Sequence, residues 1–340
     1  MVTIHDVAKK AGVSVMTVSR VINGKRNVKQ STRERVLKAI EELGYVPNSI
    51  ARSLTLKKTA TIGLVISDIT NPFFTTIARG VEDTAIAKHF TVILCNTDEN
   101  PDKELMYIEV LSRNKVDGLI FTSASGRKSP LKSVFLRNIP LVLIDRTIEG
   151  LDDVDIVRGD SIEGAYLLTK HLLDLGHRRI GIVVGSKHIS TAVDRIEGYK
   201  RAFREYNIPI DESLIKINEN SKFSKEDGYR LTKELLSLKE PPTAIFGGNN
   251  LMAIGAILAI REMGLKIPDD ISLVSFDDVE SLSEVYPFLT VVKQPAYTMG
   301  VLATELLIRR IENKDKIKEK REILLKPELI IRSSTAPPKK

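Results

Sequence analysis

Ile4-His5-Asp6-Val7-Ala8-Lys9-Lys10-Ala11, Gly12-Val13-Ser14 and Val15-Met16-Thr17-Val18-Ser19-Arg20-Val21-Ile22-Asn23 run on continuously near the start of the chain. Ile4, Val7, Ala8 and Ala11 recur at i, i+3, i+4 and i+7, and Val18, Val21 and Ile22 keep the same spacing, so two short amphipathic helices are expected. The three residues between them open with glycine, which is the local signature of a helix-turn-helix DNA reader. Thr3 and Asp6 read as a capped start, Gly12 as a left-handed exit and Ser14 as the cap of the second helix. Val15, Met16, Thr17, Ser19 and Arg20 remain on the outer face of that helix. The set suits a major groove, where an arginine takes both acceptors of a guanine and apolar side chains meet a thymine methyl.

A third helix follows, with Ser31 and Glu34 expected as a capping box, Val36, Leu37, Ile40 and Leu43 as its buried face and Gly44 as its end. Charge supports a nucleic-acid role for this region. Residues 1–60 hold 12 Lys and Arg against 4 Asp and Glu, a net of +8 in a chain whose total is +7. The basic excess is thus confined to the N-terminal segment, as phosphate neutralisation by one module of a near-neutral protein requires.

At 340 residues the chain has room for two or three domains. Cys95 is its single cysteine, which excludes an intrachain disulfide and leaves the residue as a small core hydrophobe. No basic-then-apolar leader and no run of 18 apolar residues occurs, so a cytoplasmic protein with no membrane contact is expected. His171 and His177 are six positions apart, off a common helix face, and form no metal pair. None of the G-x-S-x-G, G-x-x-x-x-G-K-[ST] or G-x-G-x-x-G strings is present; neither enzymatic activity nor a cofactor is expected.

From residue 60 the pattern alternates strand and helix. The apolar run at 61–66 reads as a strand buried on both faces, followed by a helix from about Pro72 to Lys88 and by further strands at 91–95, 116–121 and 141–144. A second array follows, with helix 161–175, strand 180–184, helix 191–206 and strand 244–246. Two such arrays imply two parallel sheets that bind ligands at the C-terminal strand ends. Segments 289–293 and 321–332 read as isolated strands around a long helix, 296–312, and must cross between the arrays.

The headpiece continues into Tyr45-Val46-Pro47-Asn48-Ser49-Ile50-Ala51-Arg52-Ser53-Leu54, and from Ile4 to Leu54 the chain closely resembles the N-terminal headpiece of the LacI/GalR family of bacterial transcription regulators. The resemblance extends over essentially residues 3–335: Ser67-Asp68-Ile69-Thr70-Asn71-Pro72-Phe73-Phe74, Asp145-Arg146, Asp194-Arg195-Ile196-Glu197-Gly198-Tyr199, Asn249-Asn250-Leu251-Met252, Ser275-Phe276-Asp277-Asp278 and Val291-Val292-Lys293-Gln294-Pro295 resemble pieces of the family's effector core. It implies an α/β protein with an all-α headpiece (1–47), a hinge helix and linker (48–60), and a two-lobed periplasmic-binding-protein-like core (61–340). The lobes are expected at 61–160 with 291–320 and at 161–290 with 321–340. It also implies a homodimeric repressor on palindromic double-stranded operator DNA, controlled by a small effector, a sugar or its derivative. Asn23, Asn27, Ala51 and Leu54 join the outer face of the second helix as DNA contacts, Leu54 as a wedge entering from the minor groove.

The chemistry of the core positions can be read without the family. Phe73, Phe74 and Phe223 offer flat apolar faces, while Asp145, Arg146, Arg195, Asn249 and Asp277 offer groups that orient hydroxyls, a mixture suited to a sugar. Each has a plainer alternative, since phenylalanines fill cores and an Asp or Arg at a strand end is commonly solvated or caps a helix. Asn71 and Thr191 complete the set that the resemblance implies. Two departures stand out. The family's usual Asp after Asn249 is Asn250 here, so a helix cap loses its charge and the cleft some acidity. Purine-sensing members carry a basic residue where this chain has Ile189, which favours a sugar. Asn96-Thr97-Asp98-Glu99-Asn100-Pro101-Asp102-Lys103-Glu104-Leu105 resembles the family's catabolite-control branch, which a phosphorylated carrier protein switches; that is the alternative reading. No leucine heptad for a tetramerising coil closes the chain.

Overall fold

The structure, a computed structural model, describes residues 2–22, 27–45, 59–127, 131–151, 153–218, 223–279, 285–313 and 319–339. The chain divides into two compact units, Met1–Thr59 and Ala60–Lys340.

In the first unit α1 (Ile4–Ala11), α2 (Val15–Ile22) and α3 (Gln30–Leu43) enclose Val7, Ala8, Ala11, Val18, Val21, Val36 and Ala39. The Thr3–Asp6 capping box is present, with Thr3 N–H donating to Asp6 Oδ2 at 2.8 Å, and Gly12 leaves α1 at φ 64°. Ser14 Oγ accepts from Thr17 N–H at 3.2 Å and starts α2 as its sequence indicates. The expected Ser31–Glu34 box does not form. The helix is capped at Lys29 and begins at Gln30, two residues earlier than a Ser31 cap implies, and Gln30 Nε2 donates to Glu34 Oε1 at 3.0 Å instead. Leu37 also departs from expectation: it is 51% exposed, and Ala39 fills the core in its place.

The second unit holds two sheets, each six-stranded among the described residues. The first runs β11 (Glu322–Leu325), β5 (Asp155–Gly159), β4 (Leu141–Ile144), β3 (Gly118–Phe121), β1 (Thr61–Ile66) and β2 (Thr91–Asn96), all parallel. The second runs β12 (Glu328–Ile330), β10 (Thr290–Lys293), β9 (Ser272–Phe276), β8 (Ala244–Gly247), β6 (Ile180–Val184) and β7 (Ile215–Ile217), with only β12 antiparallel. Helices α4 (Pro72–Ala87), α5 (Pro101–Arg113), α6 (Lys132–Leu136) and α11 (Ala296–Glu312) accompany the first sheet, and α7 (Ser161–Asp174), α8 (Ser190–Glu205), α9 (Lys225–Leu236) and α10 (Asn250–Glu262) the second. The apolar faces of α4 and α11, including Ile77, Val81, Met299, Ala303 and Leu307, lie against Leu64, Ile120 and Val142. Their complete removal from water supplies most of the drive to form this layer.

The chain crosses between lobes near Asp160, at Gln294-Pro295 and at Lys326-Pro327. Two lobe limits therefore differ from those expected. Residues 291–293 belong to the second lobe, because β10 pairs with β9, and 322–325 belong to the first, because β11 pairs with β5. Sequence patterning also missed β5. Its Asp155 is buried through a two-pronged pair with Arg310, at 2.7 Å to each carboxylate oxygen, an arrangement that local hydrophobicity cannot announce. Among the described residues no helix is long and apolar enough to cross a membrane.

Candidate functional site

Helix α2 exposes Met16 and Arg20 to solvent, with Met16 63% accessible. Val15 is half-buried against the headpiece core, and Thr17 and Ser19 are also half-buried. The Thr17 hydroxyl lies 2.9 Å from Ser14 Oγ. Asn27 is exposed just before α3, while Asn23, Ala51 and Leu54, together with most of the expected hinge, lie outside the described residues.

In the core, the strand ends of both sheets converge on a cavity lined by Asn71, Phe73, Phe74, Asp145, Arg146, Thr191, Arg195, Phe223, Asn249 and Asp277. All ten core positions singled out in the sequence meet there, half from each lobe. The local reasons are legible. Asn71 caps α4, accepting from Phe73 N–H at 3.0 Å, so the first turn of that helix presents Phe73 and Phe74. Those two rings meet edge to face at 5.2 Å. Asp145 and Asp277 each follow directly on a buried strand and take positive φ, 69° and 62°, a conformation Asp tolerates better than most residues and one that recurs at functional sites. Phe223 covers Gly185, where a Cβ would stand 2.4 Å from the ring.

The electrostatics are those of an enclosed charge cluster. Arg146 Nη1 and Nη2 hold Glu99 at 2.8 and 2.7 Å, and Nη1 also donates to the Ser123 carbonyl at 2.9 Å. Burial pulls the Arg146 guanidinium down, but the Glu99 carboxylate more than offsets this and raises it. Burial lowers Arg195, which stacks 3.9 Å over the Phe276 ring and donates to the Gly248 carbonyl at 2.5 Å. Both guanidiniums remain charged. Burial raises the Asp145 carboxyl and pushes Asp277 up to about 6, even though Arg195 and the Gln294 amide favour its ionised form. Asp145 Oδ1, Arg146 Nε and Arg195 Nε are buried without a hydrogen-bond partner. Leaving such groups unpaired costs about 1–3 kcal/mol each, so the cavity is made for a ligand rich in both donors and acceptors.

Three residues that sequence reasoning did not place in the site belong to it. Glu99 clamps Arg146 from 47 positions away and had no local signal. Gln294 donates to both oxygens of Asp277, at 3.0 and 3.1 Å, and its Oε1 is buried without a partner. The signal was available, because Gln294 follows β10 just as Asp277 follows β9. Asn250 is buried at the cleft as the first residue of α10; the cap of that helix is Asn249, whose Oδ1 accepts from Met252 N–H at 2.8 Å. The Asn-for-Asp departure therefore alters no helix cap. His171 and His177 bond Thr335 and the Thr243–Ser272–Ala336 group, fastening the C-terminal segment to the second lobe.

Comparison with known proteins gives a consistent result. Residues 3–48 match the family model described as bacterial regulatory proteins, lacI family, and residues 169–335 the one described as a periplasmic binding protein-like domain. The chain is similar to the ribose operon repressor of Halalkalibacterium halodurans, 40% identical over 335 residues that cover 98% of this chain and 97% of the relative. Among solved structures it resembles a LacI family transcriptional regulator from Enterococcus faecium with bound ribose, with 34% identity, a TM-score of 0.72 and coverage of 82% and 100%. It also resembles the Lac repressor dimer bound to operator and the anti-inducer ONPF, with 28% identity, a TM-score of 0.83 and coverage of 98% and 99%. The repressor PurR of Haemophilus influenzae, at 38%, and the catabolite control protein A of Priestia megaterium, at 39%, are about as similar, covering 98% and 91% of this chain and 98% and 92% of their own. Overall identity thus does not choose among their ligands, and the lining of the cavity must.

Proposed function

Since the chain belongs to the LacI family of bacterial transcription regulators, a family of sequence-specific DNA-binding proteins and not of enzymes, we propose that it is a repressor whose effector is a pentose, D-ribose or a close relative, held between the two core lobes. The observation that carries this reading is the cavity itself. It combines aromatic faces from both lobes with buried charged side chains, of which Asp145 Oδ1, Arg146 Nε and Arg195 Nε make no hydrogen bond. A monosaccharide supplies C–H faces for Phe73, Phe74 and Phe223 and hydroxyls for Asp145, Arg146, Arg195, Asn249 and Asp277. A LacI family regulator from Enterococcus faecium, a solved relative, holds ribose. A purine is disfavoured because Ile189, where a basic residue would be needed, is buried in the core.

The catabolite-control alternative draws on the segment 96–105, which leaves Asp98, Pro101, Asp102 and Leu105 exposed but turns its two buried glutamates inward. Glu99 faces Arg146, Asn100 caps α5, and Glu104 is buried against Ser123, Ala124 and Ser125. Operator contact falls to Val15, Met16, Thr17, Ser19 and Arg20 of α2, with Asn23, Asn27, Ala51 and Leu54 beside them. The protein acts in the cytoplasm as a homodimer on a palindromic site. Apolar Ile86, Ile93, Leu94, Leu105, Met106 and Val110, exposed on the outer strand and adjoining helices of the first lobe, supply a surface for that pairing.

The test is a thermal-shift screen with D-ribose, cellobiose, guanine and a serine-phosphorylated carrier protein. At 100 times its dissociation constant the true effector adds about 2.7 kcal/mol of stability. Stabilisation by ribose alone, together with a change in operator affinity, is the expected outcome. Stabilisation by guanine or by the carrier protein, with none from ribose, refutes the pentose reading.

A further inference from the structure

Asn71 is at once the cap of α4 and a wall of the cavity, so the direction of its amide matters to any ligand. Its Oδ1 accepts twice, from Phe73 N–H at 3.0 Å within its own lobe and from Asn250 Nδ2 at 2.9 Å across the cleft. The group it can turn to the cavity is therefore its Nδ2. Asn250 is 1% exposed, and its own orientation is fixed at both ends. Its Oδ1 accepts from Leu251 N–H at 2.8 Å, and its Nδ2 also donates to the Asp278 carbonyl at 3.2 Å. Turning this amide over would set an oxygen against two acceptors and an NH2 against a donor. The bond joins residues 179 positions apart and ties the helix start of one lobe to the helix start of the other.

We propose that Asn250 is a positioning residue of the cleft: by donating across it to Asn71 Oδ1, it fixes the Asn71 amide in the orientation that meets the sugar and favours the approach of the two lobes. The proposal rests on the pentose reading for its ligand and on the cross-cleft bond alone for its mechanism. The departure from the family pattern is then functional, because an aspartate at 250 brings no donor. It could keep the Leu251 bond, but its second oxygen would face Asn71 Oδ1 and the Asp278 carbonyl, both acceptors. Nor does Arg332 offer charge relief, since its guanidinium already holds the Asp278 carboxylate at 3.0 and 2.7 Å.

The experiment is a double-mutant cycle on the full chain, with D-ribose affinity measured by calorimetry for the parent, Asn250→Asp, Asn71→Ser and the combination. Serine at 71 retains an oxygen for Phe73 N–H but not the amide. Asn250→Asp is expected to weaken ribose at least tenfold in the parent and less than threefold in the Asn71→Ser background, since the effect passes through residue 71. Equal losses in the two backgrounds, or no loss, overturn the proposal. Asn250→Ala, which deletes the donor without adding charge, should show the same dependence with a smaller loss and serves if the aspartate variant does not fold. Hydrogen exchange of the sugar-free proteins provides a ligand-independent reading. Residues 71–75 are expected to exchange faster in the Asn250 variants, and unchanged exchange there also overturns the proposal. A parent that shows no ribose binding while the exchange result holds refutes the pentose reading and leaves the cross-cleft contact standing.

Discussion

Replacing Asp277 by Asn should make the sugar-free protein more stable and the sugar complex weaker, by amounts set by the cleft. Asp277 is 6% exposed, and burial raises its carboxyl from 3.8 to about 6 against the attraction of Arg195 and the two bonds from Gln294. A carboxyl raised on folding contributes its stability below 3.8 and loses it as the pH climbs through 6. At roughly 1.36 kcal/mol per pH unit, ionised Asp277 costs the folded state about 3 kcal/mol at pH 7.5. Asparagine is neutral throughout. Its oxygen can take the Gln294 amide, and its NH2 can turn towards Gln294 Oε1, which has no partner. Sugar-free Asp277→Asn should then gain up to about 3 kcal/mol at pH 7.5, about half that at pH 5 and little at pH 4. Ribose affinity should fall roughly tenfold or more, since a hydrogen bond to a charged group contributes about 1.5–3 kcal/mol. Denaturant unfolding of variant and parent at the three pH values, with calorimetric titration at pH 7.5, measures both. A variant no more stable than the parent at pH 7.5, or one whose advantage persists unchanged at pH 4, would falsify this account of the carboxylate.

Arg20→Ala should reduce the preference for operator over random DNA by about 1–3 kcal/mol while leaving weak, salt-sensitive binding, as read by anisotropy at two salt concentrations; an unchanged preference means Arg20 touches only phosphate. Gly185→Ala forces a Cβ to within 2.4 Å of the Phe223 ring and should lower ribose affinity by about 1–3 kcal/mol through displacement of that ring, whereas a normal titration curve returns Phe223 to a core role. Arg310→Ala strands the buried Asp155 carboxylate and should destabilise the core by about 3–5 kcal/mol in urea unfolding, an effect that loss of a surface charge would not produce.

Much of the architecture was legible because parallel strands buried on both faces read as unbroken apolar runs. Thr61–Ile66, Leu141–Ile144 and Ile180–Val184 are unmistakable on that ground. Asp155–Gly159 escaped because its first residue is charged and depends on an arginine far along the chain. Helix α5 escaped because its charged, weakly amphipathic sequence leaves only a few residues such as Ile108 and Leu111 for the core. The site divides in the same way. Asp145 and Asp277 announce themselves as acids ending apolar strands, and Asn71 as a cap before Pro-Phe-Phe. Glu99 does not, because its role exists only once β2 and β4 lie in one sheet and its loop turns towards Arg146. Side chains that act locally leave local traces; those that act through tertiary pairing leave none.

The three crossings between lobes also bear on how the chain is made. The first lobe leaves the ribosome first, yet α11, which covers Ile77, Val81 and Leu64, is encoded after β6, β8 and β9 of the second. Each sheet then waits for an outer strand drawn from residues 322–330. Synthesis order and completion order are thus inverted. A nascent chain carries the apolar face of α4 uncovered from residue 87 until α11 ends at residue 312, a period in which such surfaces invite aggregation. Both lobes reach their final form almost together, within the last stretch of polypeptide, so a prematurely terminated chain lacks not one finished lobe but two.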